Sequence, residues 1–153
     1  MDAPETRRWR VDGVPVAQPR QRVTTIAGRP HNYTPTKHPV QAWKAAVAMG
    51  HSERWNGAPL DGPLRLEVRF ALPRPQRLLA RKWRDLTVWH ASRPDMDNLL
   101  KATKDALSRL AWRDDAQVCQ VYAEKRYANV DESPHAVISV ERVVAQAAGG
   151  DDE

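Results

Sequence analysis

The chain has 153 residues, 41% hydrophobic and 28% charged, with a formal net charge of +5. That suits one folded domain with a modest core and excludes a wholly disordered chain. No apolar run is long enough to span a bilayer. Residues 1–10 lack the apolar centre of a signal peptide, so a soluble, cytoplasmic protein is expected. The single cysteine, Cys119, excludes an internal disulfide and a cysteine-based metal site.

Residues 1 to about 6 read as a loose arm. Trp9–Val11 and Val14–Val16 suggest a short strand around Asp12–Gly13. After the polar stretch Gln18-Pro19-Arg20-Gln21-Arg22, the β-branched run Val23–Ile26 meets the turn signal Gly28-Arg29-Pro30. A return strand to Tyr33 would complete a hairpin. Residues 39–54 predict a helix, with Val40, Trp43 and Val47 at helical spacing and Pro39 in the first turn. Asn56-Gly57 and Pro59 end it.

Leu64, Leu66, Val68, Phe70 and Leu72 alternate with Arg65, Glu67, Arg69 and Ala71, the period-two signature of a strand with one buried and one basic face. Residues 73–92 form a long basic connection, with Leu78, Leu79 and Trp83 seating one helical turn. From Arg65 to Asp85, seven cations (Arg65, Arg69, Arg74, Arg77, Arg81, Lys82, Arg84) stand against Glu67 and Asp85. Such a strip is either a solvated surface or a track for phosphates.

A second helix is expected from Asp95 or Met96 to Leu110. Met96, Leu99, Leu100, Thr103, Ala106, Leu107 and Leu110 trace its apolar stripe; Asp97, Lys101, Lys104, Asp105 and Ser108 lie opposite. Residues 117–127 and 135–144 alternate as strands and are expected to pair as an antiparallel hairpin across the turn-rich 129–134. The whole is an α+β domain over residues 1–144, with two main helices and a mixed, mostly antiparallel sheet. Residues 145–153 form an acidic tail expected to be disordered.

The chemistry concentrates between Arg93 and Val118. Asp95 and Asp97 straddle a helix start, where two like charges need a compensating dipole, cation or metal. Magnesium prefers carboxylate oxygens and keeps several waters. Lys101, four residues after Asp97, shares its helical face. The pair reads either as a surface ion pair or as a cation beside a phosphate. Asp114–Asp115 opens the next strand, as turn formers or as acids pointing back towards Asp95 and Asp97.

The run R-P-D-M-D-N-L-L-K-A-T-K-D-A-L, followed by W-R-D-D-A-Q-V, resembles the RusA family of Holliday-junction resolvases, found in bacteria and their prophages. The resemblance is strong over residues 90–127. It implies that Asp95, Asp97 and Asp115 bind a divalent metal, Mg2+ with Mn2+ as substitute. Lys101 is essential for cleavage in that reading, and Asp114 is the other acid of the pair. Asn98, Asp105 and Gln117 match positions that orient the site or close the fold. The basic connection is longer than in small relatives, and the acidic tail is an addition. A homodimer acting on branched DNA, four-way junctions above all, is implied, because two symmetric cuts suit a two-fold dimer. Arg20, Arg22, Arg69, Arg74, Arg77, Arg81, Lys82 and Arg84 are candidate phosphate contacts. Trp83 or Trp89 could stack on an unpaired base. Nucleases for flaps, forks or replication intermediates, and a non-catalytic DNA-binding module, remain the rival readings.

Overall fold

The computed structural model describes residues 4–149. Its strands are β1 (Thr6–Asp12), β2 (Arg22–Ile26), β3 (Arg29–Tyr33), β4 (Leu64–Leu72), β5 (Val118–Tyr127) and β6 (His135–Arg142). Its helices are α1 (Pro39–Ser52) and α2 (Met96–Leu107). A four-stranded sheet runs in the order β1-β6-β4-β5, and β2 pairs with β3 as a separate hairpin. The domain is α+β with a mixed sheet, antiparallel except between β4 and β5.

Register gives the sheet two unlike faces. Trp9 stands opposite Ile138, and Ile138 opposite Val68; Val11, Ala136 and Phe70 form the next row. All six are buried. The helices cover this face with Val40, Trp43 and Val47 of α1 and Leu99, Ala102 and Leu107 of α2. Full burial of such a side chain contributes about 1.5–3 kcal/mol. The alternate residues, Arg8, Arg10, Arg65 and Arg69, lie on the open face.

Three local expectations change. β5 and β6 do not pair with each other. β5 lies parallel to β4, reached by the α2 crossover that a parallel pair requires, while β6 inserts between β1 and β4. β6, in its interior place, has four of its eight residues buried, whereas β5, at the edge, has one of its ten buried. Val14–Val16 is not a strand, because the chain turns away at Gly13, whose φ is 121°. α2 stops at Leu107, where Ser108 turns extended and Arg109 adopts a φ of 68°.

The helical turn expected in the basic connection is a 3-10 turn at Gln76–Leu79. β1 begins at Thr6, at the end of the expected arm, of which residues 1–3 lie outside the described residues. Residues 145–149 carry no regular secondary structure, and residues 150–153 lie outside the described ones. No helix of the described residues is long and apolar enough to cross a membrane.

α1 meets β1 through a tight polar–aromatic cluster. A Cβ on Gly50 would lie 2.9 Å from Trp9 Cδ1, and Trp9 is itself buried against His51 and Trp55. Alanine ordinarily improves a helix interior by about 1 kcal/mol. Here the clash should win, and Gly50→Ala is expected to lower the urea midpoint. A higher midpoint would show that the indole gives way.

His51 is 1% exposed, and its Nε2 lies 3.1 Å from Arg7 Nη1. The guanidinium donates, so Nε2 is the unprotonated nitrogen. Burial, then the adjacent Arg7 charge, pushes the His51 pKa from 6.5 to about 4. The unfolded chain therefore takes up a proton that the folded chain refuses, and stability falls as pH drops from about 6.5 towards 4. The loss by pH 5 is about 2 kcal/mol. Urea unfolding at pH 7.5 and 5.0 should show a smaller loss in His51→Gln, which keeps an acceptor for Arg7 but does not titrate. Equal losses would remove His51 as the cause.

Candidate active site

The first turn of α2 is fixed before its acids are considered. Lys125 Nζ on β5 donates to the carbonyls of Ser92 (2.5 Å) and Pro94 (2.6 Å), which anchors the chain entering the helix. His90 supports the same approach: its backbone N–H donates to Lys125, and its ring packs 4.5 Å from that of Tyr127. Burial, then the adjacent Lys125 charge, lowers the His90 pKa. On the other side, the Gln18 backbone N–H donates to Asn98 O at 2.9 Å.

Asp95 is the N-cap residue of α2, yet its side chain makes no capping bond. Aspartate at this position usually accepts from the helix's own N–H groups, so this carboxylate is not spent on the helix. Asp97 and Lys101 project one turn apart. No ion pair joins them among the described residues. The lysine that does pair with α2 is Lys44 of α1, 3.6 Å from Asp105, which ties the two helices together.

The adjacent acids of the next segment separate by role. Asp114 caps a short 3-10 turn, Asp115–Gln117, by accepting from Ala116 N at 2.8 Å. Gln117 accepts from the backbone of Arg113 and Asp114 and donates to Leu60 O and Gly62 O, closing this corner of the fold. Asp115 instead accepts from Nε1 of the fully buried Trp112 at 2.7 Å. One bond orients the carboxylate, and its remaining acceptor capacity is unused by that contact.

Asp97, Lys101 and Asp115 border one depression of about 390 Å3, together with Leu100, Lys104, Asp105 and Val121. Val121 pairs with Leu66 and so lies on the helix side of the sheet, where α2 leaves the β5 edge uncovered. Asp95 and Asp114 do not border this depression. Among the described residues, no three His, Cys, Asp or Glu side chains gather closely enough to enclose a metal ion. Of the depression's three carboxylates, Asp105 is paired with Lys44; the other two, Asp97 and Asp115, fit magnesium, which is commonly held by one or two carboxylates with waters and substrate phosphate completing its shell.

The basic residues divide as well. Arg69 lies on the sheet face opposite Val121, paired with Glu67 (2.6 Å) and Glu124 (3.0 Å) and stacked over Tyr122. Hydrogen bonding to Glu67 is the main cause of its raised pKa. Arg74 donates to the carbonyls of Trp83 (2.6 Å), Leu78 (2.9 Å) and Leu86 (3.4 Å), so it holds the 73–92 segment together. Arg20, Arg22, Arg77, Arg81, Lys82 and Arg84 are exposed. Trp83 is half-buried beneath the Lys82 ammonium, whereas Trp89 is 59% exposed. The sequence does not single out Lys125 or Trp112. Only the W-R-D-D adjacency hinted at the second, and nothing local marks the first.

Three carboxylates and two lysines thus surround one solvent-open depression on a cationic domain. The chain belongs to the RusA family of endodeoxyribonucleases: the model described as Endodeoxyribonuclease RusA matches residues 12–141. The chain is also similar to an uncharacterized protein, YqaN, of Bacillus subtilis strain 168. The identity is 29% over 143 residues, covering 90% of this chain and 97% of YqaN.

Lys125 holds the chain that leads into α2. Lys125→Met keeps the stem and removes both bonds to Ser92 and Pro94. Misplacing a reacting group by about 1 Å costs on the order of a hundredfold. DNA cleavage by Lys125→Met is therefore expected to fall ten- to a hundredfold, with DNA affinity changed less than threefold. An unchanged rate would show that α2 holds its acids without this anchor.

Proposed function

We propose that this chain is a divalent-metal-dependent endonuclease that resolves four-way DNA junctions by paired, symmetric phosphodiester hydrolysis, acting as a homodimer. The observation that carries the reading is the shared rim of Asp97, Lys101 and Asp115, with no ion pair neutralising Asp97 against Lys101. Asp97 and Asp115 would hold the metal, with Asp95 on the neighbouring helix cap completing or exchanging into its shell. A metal there supplies acidity to a water molecule and positive charge at the phosphate.

The chain's own groups do the rest. Trp112 holds the Asp115 carboxylate in one orientation through its indole N–H. Lys101, exposed and unpaired with Asp97, meets the negative charge that grows on the phosphate and leaving oxygen. Phosphate contact falls to the exposed cations Arg20, Arg22, Arg77, Arg81, Lys82 and Arg84, because Arg69 and Arg74 are engaged within the protein. These contacts give affinity that weakens with salt and carries little sequence choice. Trp89 offers an open ring for stacking on an unpaired base. Two-fold symmetry of the dimer would set two such sites on the two-fold symmetric junction.

The test is a labelled four-way junction beside a linear duplex of the same arms, with and without magnesium, for the wild type and Asp97→Asn. Paired nicks in the junction alone are expected, dependent on magnesium and reduced at least a hundredfold in the variant while binding persists. Equal cutting of the linear duplex would replace junction resolution by a broader nuclease. Binding without cleavage under magnesium and manganese would leave a DNA-binding module.

A further inference from the structure

The depression bordered by Asp97 and Asp115 carries a second cation. Lys104 lines it together with Lys101, from the following turn of α2. Lys101 is also a wall of a second recess, bordered by Gln18, Arg20, Gln21, Asn32 and Asn98, so it stands as a ridge between two surfaces. Lys104 borders the depression and not that recess.

No carboxylate of the protein employs Lys104. It takes part in no ion pair among the described residues. Its neighbour Asp105 is taken by Lys44 of α1 at 3.6 Å. Lys104 is half-buried and sits in the last turn of α2, the negative end of the helix dipole. That end of a helix disfavours an anion, and the ammonium offsets it.

The depression is therefore graded along the helix. Asp97, Lys101 and Lys104 follow one another at spacings of four and three residues, which is about 6 Å and then about 4.5 Å along the axis. A carboxylate stands at one end and a free ammonium at the other. Successive phosphates of one strand advance about 3.4 Å along a duplex. The step from Lys101 to Lys104 is close to that, and two flexible four-carbon stems absorb the difference.

We propose that Lys104 binds the phosphate immediately next to the scissile one, so that the cut strand lies along α2 and is gripped at two consecutive phosphates. The inference rests on the nuclease reading, which puts the scissile phosphate at Lys101. An ammonium has three donors and no acceptor, so the contact is to phosphate oxygen and ignores the base. The two lysines then differ in role. Charge grows on the scissile phosphate during hydrolysis, whereas the charge of its neighbour stays the same. Lys104 thus holds substrate and transition state equally, and its loss raises KM without lowering kcat.

The experiment uses four-way junctions carrying one uncharged methylphosphonate, placed in turn at each position across the branch point. Cleavage kinetics in magnesium, and metal-free binding over a salt series, are measured for the wild type, Lys104→Met and Lys104→Arg, with thermal unfolding confirming that each variant is folded. Lys104→Met should raise KM about tenfold, the order of one charge-assisted hydrogen bond, with kcat within about twofold. Its salt dependence of binding should be shallower by about 0.9 in log–log slope, one phosphate contact. In the wild type, the methylphosphonate at one position flanking the cut should cause the same loss, and Lys104→Met should lose no more there than on the unmodified junction. Lys104→Arg should behave as the wild type. A fall in kcat at unchanged KM, or sensitivity to every methylphosphonate retained in Lys104→Met, overturns the Lys104 contact and leaves the nuclease reading standing. Coupling to a phosphate that does not flank the cut overturns the placement of the strand along α2. Coupling to one phosphate in binding, with no cleavage of any junction, supports the phosphate contact and overturns the nuclease reading. Neither coupling nor cleavage overturns both.

Discussion

The first turn of α2 is pinned from three directions, and the candidate site is built on it. Leu99, Ala102, Thr103 and Leu107 bury its inner face against the sheet. Lys125 holds the chain that enters it, and the Gln18 N–H is donated to Asn98 at its exposed end. Burial alone would fix the helix axis but leave its start free to fray, because the first N–H groups of a helix lack partners within it. The two polar anchors remove that freedom where Asp97 and Lys101 project.

Charge is distributed to keep this turn available. The chain carries an excess of cations, yet Asp97 takes none of them as a partner within 4 Å among the described residues. The nearest structural demand for a cation, at Asp105, is met by Lys44. The acids that are spent lie elsewhere: Asp114 in a cap, Glu67 and Glu124 on Arg69 across the sheet. Asp97 and Asp115 share one rim, and neither takes part in an ion pair among the described residues.

The ridge at Lys101 divides two kinds of surface. One side carries the carboxylates Asp97, Asp105 and Asp115; the other carries the carboxamides Gln18, Gln21, Asn32 and Asn98. The hairpin contributes nothing to the core, and a two-stranded ribbon is marginal by itself in water. Its bonds through Gln18 to α2 and to Thr34 explain how its root keeps a place beside the site.

The sequence by itself determined the α+β class, the position of nearly every strand and helix, and the Asp97–Lys101 face, because periods of 2.0 and 3.6 are local properties of side-chain placement. The D-x-D-N-x-x-K spacing carried the acids and lysine in the same way. Tertiary structure alone decided that β6 runs between β1 and β4 and that β5 takes the edge, since strands compete globally for the buried positions and periodicity names no partner. It also decided between neighbours that look alike in sequence: Asp114 caps a turn while Asp115 faces the depression, and Arg69 turns from the site while Lys101 crowns it. Lys125 lies 30 residues from Asp95 in sequence, and only the parallel placement of β5 beside β4 brings its ammonium to the entrance of α2. Such pairings are set by which backbone passes which in space, and no local pattern of residues encodes that.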